Sequence, residues 1–488
     1  MGDISSIDEC IVNQPSITTD VVIKTAPATL CQQSQWYEQR LFPPAYWPHW
    51  NVSYIWYPSE GVQRNRAIEA ISNLVNRHEG LRTTLHEGRL GVLTQRIHKY
   101  RQPDVFEVAS GSSEESYLID RLNSAGFDLE RDYPIRFGIV TSDDRSVRAI
   151  HCVGNHIVID NWTLRILKFE FQHLLSDGAA ASDGNRAQDI WQPSDIANIE
   201  CSPEGAGRSA RAISYWKRQL QESPSSLLPG LDTDITARMA DWRERHLMGV
   251  MLESPSLYKA ATILADSTGM SVQAFMLSSY VALLARYFGL DSIPLKVMVS
   301  NRFDRRTHDT ITCLAQPVLV NCRVAQDRSL LGLARDCYST LLKSYRHGSY
   351  NSEKIDQLVI EESREREVPV YIERLFDVVW GGTDEATTDH PVDVSELDIG
   401  SSEMEIVGEC VDRGPEQSLR VRGYNGRCRV TLWADSECIP EPDMRRLLFG
   451  IESIVVGAYL DNAIDDSEWL SERIMNFPSR LSLSGNSE

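Results

Sequence analysis

Val147-Arg148-Ala149-Ile150-His151-Cys152-Val153-Gly154-Asn155-His156-Ile157-Val158-Ile159-Asp160-Asn161-Trp162-Thr163 changes period in its middle. Val147, Ala149, His151 and Val153 alternate as in a strand. From about Trp162 to Leu175, aromatic and aliphatic residues recur on one side of a helix. Gly154 opens a short loop between the two, and this loop carries an imidazole and, four residues on, a carboxylate. A strand-to-helix loop can present such a side chain to a cleft. The spacing alone decides nothing, because His173 and Asp177 repeat it; His173 falls near the end of an amphipathic helix, where it simply meets the helix dipole. A histidine at a strand end is as often a hydrogen-bonded core residue as a reactive one, so the residues by themselves leave His156 open. Cys152 lies on the opposite face of the strand from His151 and Val153 and is read as an inert thiol.

Outward from this loop the pattern is one of mixed helix and strand. Ala67, Ile68, Ala70, Ile71, Leu74 and Val75 give a helix over 65–77 that runs into a strand, and 92–98 and 135–141 read as further strands. Beyond the loop, helices are expected at 210–221, 256–268 and 272–288, the last with Ser271 as N-cap and Gly289 past its C-terminus. Strands at 293–300 and 317–324 alternate with a helix at 329–346. Residues 176–186 are small and polar, as in a linker, and 381–400 form an acidic, Thr-rich loop. The organisation predicted is an extension over 1–29, an N-terminal lobe over 30–185, a C-terminal lobe over 186–470 and a disordered tail over 471–488.

At 488 residues the chain is long enough for two or three compact units with sizeable cores. Its 42% hydrophobic and 24% charged residues are an ordinary globular mixture. A formal net charge of -20 opposes nonspecific attraction to nucleic acid or anionic lipid. The 10 cysteines are scattered, with no C-x-x-C pair, and read as buried free thiols in a reducing compartment. The start Met1-Gly2-Asp3-Ile4 lacks a signal-peptide pattern, and Val272 to Leu290 reads as a core helix rather than a membrane span. A cytoplasmic protein with neither nucleic-acid nor membrane partners is expected. No phosphate-binding glycine loop, zinc-helix motif or G-x-S-x-G elbow occurs, so no metal and no tightly bound cofactor are expected.

Several segments, in order, resemble the condensation domains of nonribosomal peptide synthetases, in the chloramphenicol acetyltransferase-like superfamily. Ser34-Gln35-Trp36-Tyr37 to Arg40-Leu41 is similar to the opening motif, and Arg77-His78-Glu79-Gly80-Leu81-Arg82-Thr83 to R-H-E-x-L-R-T. Phe127-Asp128-Leu129 with Pro134-Ile135-Arg136 resembles the F-D-L and P-L-R stretch. Asn155 to Thr163 falls where H-H-x-x-x-D-G-W-S is expected, Tyr215-Trp216 to Leu220 matches Y-W-x-x-x-L, and Ser300-Asn301-Arg302 with Ile311 to Val324 occupies the later motifs. The resemblance spans about residues 30 to 460. It departs from the pattern at Asn155, which replaces the first histidine, and at Asn161, which replaces glycine and is expected to tolerate a left-handed backbone. Gln316 stands near the Asn of F-V-N-T. No carrier-protein or adenylation sequence flanks the match, so a free-standing member is expected.

The resemblance implies an α/β (α+β) fold of two chloramphenicol acetyltransferase-like lobes, a pseudo-dimer with a tunnel at the interface. It implies an acyltransferase of natural-product biosynthesis that joins an acyl or aminoacyl thioester, held on the phosphopantetheine arm of an acyl or peptidyl carrier protein, to a small-molecule or carrier-bound amine or hydroxyl acceptor. His156 takes the catalytic position. Asn155, Asn161 and Asp160 are structural, Asp160 through a charge-assisted fork to an arginine of the second lobe, for which Arg302 is the candidate. Trp162 and Gln316 are candidates for the tunnel wall. Arg305 and Arg306 either meet the phosphate or acidic carrier, or form only a solvated loop. A coenzyme A-dependent acyltransferase of the same superfamily and a catalytically silent scaffold are the competing readings.

Overall fold

The alternating residues around 135–153 form the central strands of a sheet, and the rest of the first unit is built on it. A computed structural model describes residues 21–480 apart from 101–102, 104, 112, 177–189, 226–244, 326–327, 382–401 and 413–414. The chain divides into two compact units. The first comprises Met1–Ala210, Ser300–Ala315 and Ser349–Glu353, and the second Arg211–Val299, Gln316–Gly348 and Lys354–Glu488. The expected boundary at 185/186, nearly all of the 176–186 linker and the acidic loop past Gly381 lie outside the described residues.

In the first unit, β2 (Asn51–Trp56), β7 (Val147–Asn155), β6 (Ile135–Thr141) and β5 (Val105–Ala109) form a four-stranded sheet in that order. β7 is antiparallel to both neighbours, and β5 is parallel to β6. β7 is buried throughout from Ala149 to Asn155. The helix predicted over 65–77 is α2 (Arg64–Arg77), and it packs against α4 (Asn161–Ser176). A separate three-stranded sheet has the order β1 (Val22–Pro27), β4 (Leu93–His98), β3 (Thr83–Glu87).

That first strand corrects the reading of 1–29 as an extension. Residues 22–27 pair with β4, and Thr29 caps α1 (Leu30–Arg40) in a reciprocal box with Gln32. Residues 1–20 lie outside the described residues.

The second unit holds a seven-stranded sheet in the order β10 (Gln316–Arg323), β9 (Ser292–Val299), β11 (Arg374–Trp380), β13 (Gln417–Tyr424), β14 (Arg427–Asp435), β8 (Arg245–Ser254), β12 (Glu403–Asp412). Two of its strands were predicted, β9 (Ser292–Val299) and β10 (Gln316–Arg323). The helix Val272–Phe288 is buried except at Gln273 and Arg286; Ser271 accepts from the Ala274 N–H, and Gly289 adopts the left-handed conformation at φ 70°. The buried hydroxyls of Ser278 and Ser279 donate to the Phe275 carbonyl at 2.9 Å, so they sit in the core satisfied. No single helix among the described residues is long and apolar enough to cross a membrane.

The expected disordered tail over 471–488 is contradicted at its start. Residues 467–475 form a helix, Leu470 and Phe477 are buried, and both belong to the same apolar cluster as the core helix. Trp469, Leu470, Ile474 and Phe477 supply a helical apolar face that outweighs the polar flanks. Residues 481–488 lie outside the described residues.

Candidate active site

β2 and β7 run antiparallel, with Asn51 opposite Asn155 at the end of the ladder. One further bond, from the His156 N–H to the Trp50 carbonyl at 2.7 Å, carries the pairing to the histidine. The chain then turns sharply. Asn155, fully buried, accepts from the Ile157 N–H at 2.9 Å and donates to Gln39 Oε1 at 3.1 Å, while its carbonyl receives the N–H groups of Val158 and Ile159. An amide, with both donor and acceptor, serves this turn well. Ile157, Val158 and Ile159 are all buried and plug the loop into the core, leaving His156 as its one part-exposed residue. Gly154 permits the closure: a Cβ there would meet Ile159 Cδ1 at 2.2 Å.

The carboxylate of Asp160 is bonded to Thr163, Leu314 and Arg302. Its Oδ1 receives the N–H of Thr163 at 2.7 Å and the Thr163 hydroxyl at 2.8 Å, and its Oδ2 receives the Leu314 N–H at 3.1 Å. Arg302 Nη2 lies 3.4 Å from both carboxylate oxygens. The pair is therefore real but not a two-nitrogen fork, since Nη1 is spent on the carbonyls of Thr307 at 2.6 Å and Thr310 at 2.9 Å. Nor does Arg302 come from the second unit, because Ser300–Ala315 belongs to the first. Burial raises the Asp160 carboxyl, but Arg302 and the hydrogen bonds from Thr163 and Leu314 outweigh it and hold the group below its ordinary value.

Asn161 is the first residue of α4 and has no positive φ, so the left-handed backbone expected there is absent. The argument about asparagine applies instead to Asn301, at φ 55°, whose side chain donates to the Leu314 carbonyl at 2.8 Å and turns Arg302 inward. Trp162 is 36% exposed and donates through Nε1 to the His308 carbonyl at 2.8 Å. Gln316 is buried in β10, which belongs to the second unit. Arg306 pairs with Asp304 at 2.7 Å and stacks on Trp191 at 3.8 Å, leaving Arg305 as the exposed cation of the two without an ion pair among the described residues. The segment Arg77-His78-Glu79-Gly80 is scaffolding: His78 Nε2 meets Glu170 at 2.7 Å, and a Cβ on Gly80 would lie 2.1 Å from the Ile311 carbonyl oxygen.

Two thiols linked to His156 went unread in the sequence. Cys313 Sγ lies 3.6 Å from His156 Nδ1, and Cys31 Sγ lies 3.5 Å from Cys313 Sγ. Both thiols are buried. Burial presses the His156 imidazole down, but the charge and hydrogen bond of Cys313 overcome it and push the histidine up to about 9. The Cys313 thiol is brought down to about 6, first by the hydrogen bond from Cys31 and then, against burial, by His156. Cys31, the donor, is raised well above the ordinary thiol value by that same bond and by burial. Cys152, by contrast, is raised by burial with nothing to oppose it, in keeping with an inert thiol. A cavity of about 620 Å³ lies in the second unit, lined by Tyr215, His347, Cys322 and Cys337 among others, and holds none of the predicted site residues.

Comparison with known proteins places this loop in a class. The Condensation domain family matches residues 22–406, and the chain belongs to that family. It is 23% identical over 310 residues to tyrocidine synthase 2 of Brevibacillus parabrevis, covering 62% of this chain and 8% of that protein. It is 26% identical over 263 residues to the beauvericin nonribosomal cyclodepsipeptide synthetase BEA1 of Gibberella fujikuroi, covering 51% of this chain and 8% of that one. The chain thus spans less than a tenth of the length of these curated relatives. In fold it is similar to the condensation domain from the monacolin K polyketide synthase MokA, with a TM-score of 0.68 at 17% identity over 91% of this chain and 99% of that one. The structure describing condensation domain-mediated chain release from the enacyloxin polyketide synthase gives 0.65 at 16% identity, over 93% and 86%. The mixed α/β fold of two units is that of condensation domains.

Proposed function

We propose that this protein joins a carrier-protein-bound acyl or aminoacyl thioester to an amine or hydroxyl acceptor, with His156 at the reacting atoms. The observation that carries the reading is the division of labour in the loop. His156 alone is left part-exposed, while Asp160 is consumed by Arg302, Thr163 and Leu314. The acceptor N–H or O–H attacks the thioester carbonyl carbon, His156 Nε2 takes the acceptor proton, and a tetrahedral oxyanion forms. As that intermediate collapses the C–S bond breaks, the new C–N or C–O bond remains, and the proton passes from His156 to the departing thiolate. The pantetheine arm belongs to the donor substrate, and Trp162, Gln316 and Arg305 are the residues to examine for contacts with donor and acceptor.

The test is a mass-spectrometric screen of purified protein against a matrix of acyl thioesters and nucleophiles, each acyl group offered both on a carrier protein and on coenzyme A. Product from the carrier-bound donor is expected, with His156→Ala lowering turnover about 10² to 10⁴-fold. Near-normal turnover by folded His156→Ala would remove His156 from the reaction. Product from coenzyme A alone would make the protein a coenzyme A acyltransferase, and no product with any pair would make it a scaffold.

A further inference from the structure

The sulfur beneath His156 is held in place by the same residues that consume Asp160. The Leu314 N–H is bonded to Asp160, the Thr312 carbonyl accepts from Arg302 Nη2 at 2.8 Å, and the Cys313 N–H reaches the Ile157 carbonyl at 3.3 Å. Cys313 is thus fixed on both sides, with its Sγ aimed at Nδ1 of the histidine 157 residues earlier in the chain and its other flank closed by Cys31.

We propose that Cys313 is the positioning residue of His156: it receives the Nδ1–H of the imidazole, fixes the tautomer that leaves Nε2 for the reacting atoms, and is itself held by the thiol of Cys31. The Asp160–Arg302 pair then serves the site by fixing the residue that orients the histidine. The inference deepens the acyl-transfer reading and rests on His156 being the group that handles the acceptor proton.

The charges around the ring agree with this geometry. Those acting on His156 are Cys313 and, more weakly, Asp160, whose charge Arg302 offsets; Cys31 and Glu200 lie behind Cys313. With the thiolate as neighbour, the imidazole holds its second proton up to about 9. A base must be deprotonated to act, so the rising limb of kcat/KM that reports His156 lies on the alkaline side, above the ordinary histidine value of about 6.5. Such a ring, once neutral, is a stronger base than an ordinary histidine, which suits an acceptor reluctant to lose its proton.

The decisive measurement needs no substrate. In protein labelled with ¹⁵N and ¹³C at histidine, the resonance missing from His156→Gln is titrated in the wild type, Cys313→Ala, Cys313→Ser and Cys31→Ala. In the wild type the expected titration is near 9, with the Nδ1-protonated tautomer above it. In Cys313→Ala the pKa falls, because burial then acts without the thiolate. Cys313→Ser retains a hydrogen-bonding partner that does not ionise, so it keeps the tautomer while losing the raised pKa, and it covers the case in which the alanine variant fails to fold. Cys31→Ala lowers the pKa by less. In turnover, Cys313→Ala lowers kcat at the pH optimum about tenfold with KM unchanged, and moves the rising limb to lower pH. An unchanged His156 titration and tautomer in both Cys313 variants would overturn the proposal. That result is separable from failure of the acyl-transfer reading, which His156→Ala tests and the titration does not.

Discussion

The floor beneath His156 and the helix Val272–Phe288 are both buried, but by opposite means. The helix buries side chains such as Phe275, Leu283 and Leu284 against other apolar residues, and its serines answer their own helix backbone. The floor buries a full ion pair, with the Arg302 side chain 0% and that of Asp160 4% exposed, together with two thiols. Burying charge is unfavourable unless every partner is in place. The helix tolerates approximate partners; the floor requires specific ones, some local, as Thr163 is to Asp160, and others, as Arg302 and Leu314 are to it, from far along the chain. A site that must hold one imidazole in one orientation gains from the second kind of burial.

Breaking the floor has the largest expected effect. Asp160→Asn leaves the Arg302 guanidinium buried against a neutral amide and costs about 3 to 5 kcal/mol, read as a lower urea midpoint at constant slope, and turnover per folded molecule falls with it. Leu284→Ala in the helix costs about 2 to 5 kcal/mol, yet the folded fraction keeps its turnover. Equal losses of specific activity in the two variants would erase the contrast between the two kinds of burial.

Acid sharpens the comparison. The Asp160 carboxyl lies below its ordinary value of 3.8, so its contribution is fully present above that value and is lost as pH falls through the lower, folded one. The Asp160→Asn variant should therefore lose less stability than the wild type as pH falls below about 4, while Leu284→Ala follows the wild type. The cap of the core helix is a smaller term: Ser271→Ala is expected to cost about 1 kcal/mol, visible in thermal unfolding and silent in turnover. Smallest is the surface pair. Arg305→Glu should raise the donor KM a few-fold with kcat unchanged and weaken its salt dependence, whereas Arg306→Glu, already committed to Asp304 and Trp191, should do less. Donor kinetics that ignore both reversals at low and high salt would leave the cluster as a solvated turn.

What local sequence determines, it determines well here. The 3.6-residue period and the Ser271 and Gly289 caps delimit the helix at 272–288, because propensity, capping and apolar periodicity act within a few residues. The loop from Asn155 to Asp160 is likewise legible, since the strand alternation gives way at Gly154 and a helical period begins near Trp162. The family resemblance added Arg302 as the partner of Asp160, a pairing 142 residues apart that no local pattern carries. It misplaced that residue in the second unit, and it assigned to Asn161 the backbone that Asn301 adopts. The C-terminal tail was misread because its apolar spacing is short and set among polar residues, so only the surface it covers reveals it. Cys31 and Cys313 are 282 residues apart, and Cys313 and His156 are 157 apart. In the chain they are scattered thiols like Cys152. Their opposite acidities follow from what stands within hydrogen-bonding reach, and that neighbourhood exists only once the chain has folded.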